Sequence, residues 1–187
     1  TDRADLFSAG TLVTAPKGHG TEYGMTIPTI TTPDSAQAFV DARIAEGSDY
    51  IKIVYDDGRA YGRSFPTLTK ETMRAVIEAA HRRGKLAVVH IGALAGARDA
   101  IESGADGLVH LFVDQAPDAE FGRFVATRRA FVTPTLTVLK SISGEAGGAS
   151  LTTDARLVPF LSRTDRTALS QRFPPRPNSP PRVYAAA

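Results

Sequence analysis

The chain contains no cysteine in its 187 residues. That excludes disulfides, thiolate metal ligands and a cysteine nucleophile, and it leaves the compartment open, because a cysteine-free chain suits cytosol and periplasm alike. No apolar stretch approaches the roughly 20 residues of a membrane span, and no signal-peptide pattern is present. Charge of one sign is also lacking. The 22 basic and 20 acidic residues leave a net charge of +2, which argues against a broad phosphate-binding surface. Arg163, Arg166, Arg172, Arg176 and Arg182 make the tail basic, but without the interleaved aromatics on which bases stack. Neither nucleic acid nor membrane is therefore expected as a partner. There is no G-x-S-x-G nucleophile elbow, and Gly144 to Gly148 matches neither a P-loop nor a dinucleotide fingerprint.

What is present is a core-forming chain, 42% hydrophobic, long enough for one domain or a piece of a larger one. The chain opens at Thr1 without an initiator Met, and residues removed upstream are expected. Strand and helix signals alternate. Thr11–Thr14 is a short strand candidate, followed by turn-rich sequence with Gly18, Gly20, Gly24 and Pro28. A helix is expected from Thr32-Pro33-Asp34 to about Glu46, with Phe39, Val40 and Ile44 inward and Gly47 ending it. Thr69 reads as an N-cap, and Met73, Val76, Ile77 and Ala80 recur at helical spacing up to Arg82, Arg83 and the stop at Gly84. Further helices carry Leu94, Ala97 and Ile101, and then Phe121, Phe124 and Val125. Phe131–Thr135 is a last strand. The β-α alternation implies parallel strands flanked by helices. Beyond it lie a small-residue loop, Gly144 to Ser150, a helical segment from Asp154 to Gln171 broken near Pro159, and a proline-rich Pro174 to Pro181. The expected division is 1–143 for the α/β part and 144–187 for the rest.

The chemistry is expected where three of these strands end. Lys52 lies in Tyr50–Val54, His90 closes Leu86–His90, and His110 closes Gly107–His110. Strand alternation places Lys52 on a face with Tyr50 and Val54, His90 with Val88, and His110 with Leu108. Parallel neighbours would bring one amine and two imidazoles together. Imidazole suits zinc and similar divalent ions. A lysine between Ile51 and Ile53 faces a desolvation cost, so it must pair with an anion, lose its proton or be modified. A neutral amine can take up carbon dioxide as a carbamate, an anion able to bridge two metals. The plainer alternatives are hydrogen-bonded histidines at the top of a sheet and an ion pair of Lys52 with Asp56 or Asp57. Asp56-Asp57-Gly58 itself reads as a turn, and His81 as a surface residue.

Ser48–Ile53, Val88-Val89-His90 and Ala105–His110 together resemble the metal-dependent amidohydrolase superfamily, and are most similar to its imidazolonepropionase-like and prolidase-like branch. The resemblance covers about Leu12 to Leu139. It implies an α/β fold, part of a (β/α)8 barrel with about five parallel strands corresponding to strands three to seven, and hence a central fragment. It also implies that Lys52 is carbamylated and bridges two metals, and that His90 and His110 bind one of them. Lys17-Gly18-His19-Gly20 resembles the loop after strand three, where relatives often read Gly-Gly-His-Gly, with Lys17 departing from that pattern. The family's His-x-His pair and its strand-eight Asp, which handles the proton of the attacking water, have no counterpart in this chain.

The implied function is hydrolysis of an amide, or of a related ester or lactone, by water activated on one or two divalent metals, zinc first. Lys52, His90 and His110 are the expected metal ligands, and Tyr55 and His19 the expected substrate contacts. No catalytic acid or base is assigned. Two other readings remain open: a catalytically incomplete fragment or self-associating scaffold with open sheet edges, its missing barrel segment supplied by another chain, and a metal-independent esterase using His90 or His110 as base.

Overall fold

The computed structural model describes residues 4–142 and 148–171. The chain divides into two compact units, Thr1–Pro134 and Thr135–Ala187. The division comes ahead of the expected boundary after residue 143, which falls outside the described residues, as do 144–147 and the proline-rich segment.

The first unit is built on a four-stranded sheet in which strand order follows chain order. Its strands are β1 (Ile51–Val54), β2 (Ala87–His90), β3 (Gly107–Val109) and β4 (Phe131–Thr133). All are parallel, with Lys52 opposite Val88, Val88 opposite Gly107, and Gly107 opposite Phe131. A doubly wound sheet reverses its strand order at some point. This one does not, which is the winding of a (β/α) barrel.

Helices α1 (Ala36–Ala45), α2 (Lys70–Arg82), α3 (Leu94–Glu102) and α4 (Ala119–Thr127) run between or beside the strands. Their apolar stripes meet one face of the sheet. Ile51, Ile53, Ala87, Val89 and Leu108 form a single buried cluster with Met73, Val76, Ile77, Ala97, Ile101 and Phe121. The alternate residues Lys52, Val54, Val88, His90 and Val109 lie outside that cluster, on the face turned away from the helices. The expected N-cap is present, the Thr69 hydroxyl accepting from Thr72 N–H. Asp118 caps α4 in the same way, accepting from Phe121 N–H.

The expected strand at Thr11–Thr14 is reduced to a single bridge, Val13 opposite Ile53. Val13 donates to Lys52 C=O and accepts from Val54 N–H. The next residues turn off the sheet, with Thr14 C=O accepting from Ile30 N–H and Ala15 C=O from Gly18 N–H, so no second rung forms. Five strands were expected; among the described residues four and one bridge are found.

The second unit holds α5 (Leu136–Ile142), two short 3-10 turns at Ala149–Thr153 and Val158–Phe160, and α6 (Arg163–Ser170). The break near Pro159 is the second turn, where a residue without an N–H costs nothing at the first positions. Ser162 and Asp165 form a capping box on α6. Among the described residues no helix is long and apolar enough to cross a membrane.

Candidate functional site

Lys52, His90 and His110 reach one place, but not all by the expected route. Lys52 and His90 follow the pleat. Val88, on the His90 face, is opposite Lys52, and Val54, on the Lys52 face, is opposite His90, so both side chains stand on the face away from the helices. His110 does not follow it. Leu108 is opposite Val89, on the helix face, and is fully buried in the core, so strict alternation would send His110 toward the helices too. β3 instead ends at Val109, and His110 takes a left-handed backbone, φ 70°. Its N–H still bonds to Thr133 C=O at 2.9 Å, while the changed dihedral re-aims the ring. The His90 and His110 ring centroids are 4.6 Å apart. A histidine held at positive φ is an uncommon conformation that clusters at functional sites.

His19, from the loop after the Val13 bridge, completes the row, its ring centroid 4.8 Å from that of His90 and 5.2 Å from Phe65. Its Nδ1–H donates to Glu22 Oε1 at 2.6 Å, and Glu22 Oε2 accepts from Gly20 N–H. The structure thus brings together four of the five expected site residues. Tyr55 is the exception. It follows β1 with its ring against the helix-side core, and its hydroxyl donates to Asp99 on α3 at 3.2 Å. Burial first, then Asp99, pushes its pKa up to about 12. Its hydroxyl serves the sheet–helix contact.

Asp56 is the residue that the turn pattern concealed. It does make the turn: Oδ1 accepts from Gly58 N–H at 2.9 Å, with Gly58 at φ 78°. Its side chain is only 2% exposed, however, and Oδ2 accepts from the Tyr61 hydroxyl at 2.7 Å and lies within hydrogen-bond distance of His90 Nε2, at 3.1 Å. A carboxylate two residues past Val54, the β1 residue that lies opposite His90, is the signal that could have found it.

The electrostatics follow from crowding cations in a half-buried place. Burial lowers the pKa of Lys52. Burial also lowers that of His90, against the pull of Asp56. His110 is pushed down to about 4 by burial and by the neighbouring charges of His90, Lys52 and His19. Burial alone would raise the Asp56 carboxyl, but the bonds from His90, Gly58 and Tyr61 overcome it and hold it low. The ion pair of Lys52 with Asp56 or Asp57 is not formed. Asp56 is engaged as described, and Asp57 pairs with Arg59. The site therefore offers neutral imidazoles and an amine biased toward its neutral, nucleophilic form. That donor chemistry fits a divalent metal once Lys52 carries an anionic carbamate. Among the described residues no group of three or more His, Cys, Asp and Glu side chains is placed to hold a metal.

No protein-family profile and no curated protein matches the chain. Solved structures do. A Xaa-Pro dipeptidase with methionine bound in its active site aligns at 22% identity and a TM-score of 0.59, over 88% of this chain and 41% of its own. For A. niger ochratoxinase the values are 17%, 0.62, 88% and 40%. For a further amidohydrolase they are 19%, 0.60, 97% and 43%. The likeness is one of fold: the chain matches a segment of the barrels of these structures. It spans about four-tenths of the length of these structures. An amidohydrolase-type barrel closes with eight strands, so a partial barrel is the architecture observed. The strand ends that carry His90 and His110 are the barrel's carboxyl face, where functional groups of this fold gather.

Proposed function

We propose that the chain is the central part of a metal-dependent hydrolase acting on an amide C–N bond or a related ester or lactone. The observation that carries this is the pairing of His90 and His110, rings 4.6 Å apart at the ends of adjacent parallel strands, beside a desolvated Lys52. Lys52, His90 and His110 would hold the metal. The Lys52 amine attacks the carbon of CO2 and releases one proton, leaving an N-carboxylate with two oxygens to offer. A bound divalent ion, zinc first, supplies polarisation of a carbonyl and a water acidified enough to act near neutral pH. His90 and His110, kept neutral by burial, present lone pairs at that pH rather than charges. His19, oriented by Glu22, faces the same space and would touch substrate. The dipeptidase and ochratoxinase folds support the hydrolase class.

The test is metal content of the purified chain by elemental analysis, with and without added zinc and bicarbonate. Near-stoichiometric metal that is lost in Lys52→Ala and in His90→Ala is the expected result. No metal under any condition would remove the reading. A second reading, a catalytically incomplete segment, is favoured by the share of the solved structures that the chain spans and by the lack of counterparts to the family's His-x-His pair and strand-eight Asp. It predicts metal binding without turnover of amide or ester substrates.

A further inference from the structure

Asp56 is committed on both oxygens. Gly58 N–H takes Oδ1, and the Tyr61 hydroxyl and His90 Nε2 share Oδ2. The close fit is built into the backbone: a Cβ at Gly92 would lie 2.7 Å from Asp56 Oδ1 and 2.9 Å from Oδ2, so glycine there lets the carboxylate sit against the segment that follows β2. Tyr61 is held in a 3-10 turn between two left-handed glycines, Gly58 and Gly62. An ionised carboxylate only accepts. The nitrogen of His90 that faces it must therefore carry the proton, and in a neutral ring the other nitrogen is then bare.

We propose that Asp56 is a positioning residue that fixes His90 as its Nε2–H tautomer, so that Nδ1 is the nitrogen offered to a ligand in the His19–His90–His110 row. The use made of that bare nitrogen rests on the metal reading above; the tautomer does not. Tyr61 and Gly58 hold the carboxylate still, and the carboxylate holds the ring. Removing the charge while keeping the shape should reverse the proton. In Asp56→Asn, Oδ1 stays on Gly58 N–H and the amide NH2 faces His90 Nε2, which must then accept.

The experiment is two-bond proton–nitrogen correlation NMR on the metal-free, 15N-histidine-labelled chain at about pH 8. The four histidines are assigned with His19→Gln, His81→Gln and His110→Gln. The wild type should show His90 with Nε2 protonated and Nδ1 bare. Asp56→Asn should move the proton to Nδ1 and weaken zinc binding roughly 10- to 100-fold, the usual cost of losing a partner behind a metal-binding histidine. Tyr61→Phe, which leaves the carboxylate in place, should keep the wild-type tautomer. A wild-type His90 protonated on Nδ1 or averaging between tautomers overturns the inference, and that spectrum decides the matter even where Asp56→Asn does not fold. So does an Asp56→Asn chain that folds and keeps Nε2–H. If the wild type shows Nε2–H yet binds no zinc, Asp56 keeps its role and the metal reading fails.

Discussion

Within the proposed site, Lys52 and His110 are both shifted by burial, and each makes a prediction. Lys52 is lowered by burial and has no carboxylate paired with it among the described residues. With 13C-bicarbonate the wild type should show a carbamate carbon resonance, strengthened by zinc. Lys52→Arg, which keeps a positive charge but cannot carboxylate, should lack it, and persistence of the signal in that variant would place the carbamate elsewhere. His110 is held at about 4, below its ordinary 6.5. In the unfolded chain the ring protonates near 6.5. As pH falls below that, the unfolded state binds the proton first, so stability declines through the window from 6.5 to 4 and levels off beneath it. Urea unfolding across that window should show the wild type losing more stability on acidification than His110→Gln. Equal losses would mean that the ring is solvated well enough to protonate in the fold.

Elements set how costly a change at the site is. Gly92 and Gly107 both sit in tight places, but their neighbours differ. At Gly92 a Cβ meets the fixed carboxylate of Asp56, which is held by three hydrogen bonds. Gly92→Ala should cost about 1–3 kcal/mol, as overpacking does. At Gly107 the Cβ meets the Phe131 ring, which is 44% exposed and can swing away, so Gly107→Ala should cost less. Thermal or urea unfolding of the two variants checks the order. For α2, the Thr69 cap is worth roughly 1 kcal/mol. Its buried stripe is worth more: Ile77, 1% exposed, should cost about 2–5 kcal/mol when truncated to Ala. Equal losses for Thr69→Ala and Ile77→Ala would mean that α2 is held by its end rather than by its face.

For the whole molecule, all of the buried core cluster lies between Val13 and Val125, inside the first unit. A chain ending at Pro134 should therefore keep a cooperative thermal transition, within about 5 °C of the full chain, since little apolar burial is removed. A non-cooperative melt by circular dichroism would show that the second unit contributes to the fold of the first.

The alternation of strand and helix, the N-cap at Thr69, the stripe of α2 and the convergence of Lys52 and His90 were legible in the sequence, because each depends on local periodicity or on a single residue's chemistry. The length of the first strand was not, because a ladder continues only where a partner's backbone groups stay in reach, and the chain after Val13 leaves the sheet. His110 was expected beside His90, yet the pleat would have sent it to the other face. Only the left-handed turn at the end of β3, a dihedral that tertiary packing decides, puts its ring beside His90. Asp56 and Tyr55 divide in the same way. Composition made both polar and placed both just after a buried strand. Tertiary structure decided that the carboxylate faces His90 and the phenol faces α3, because successive residues leave a sheet on opposite sides.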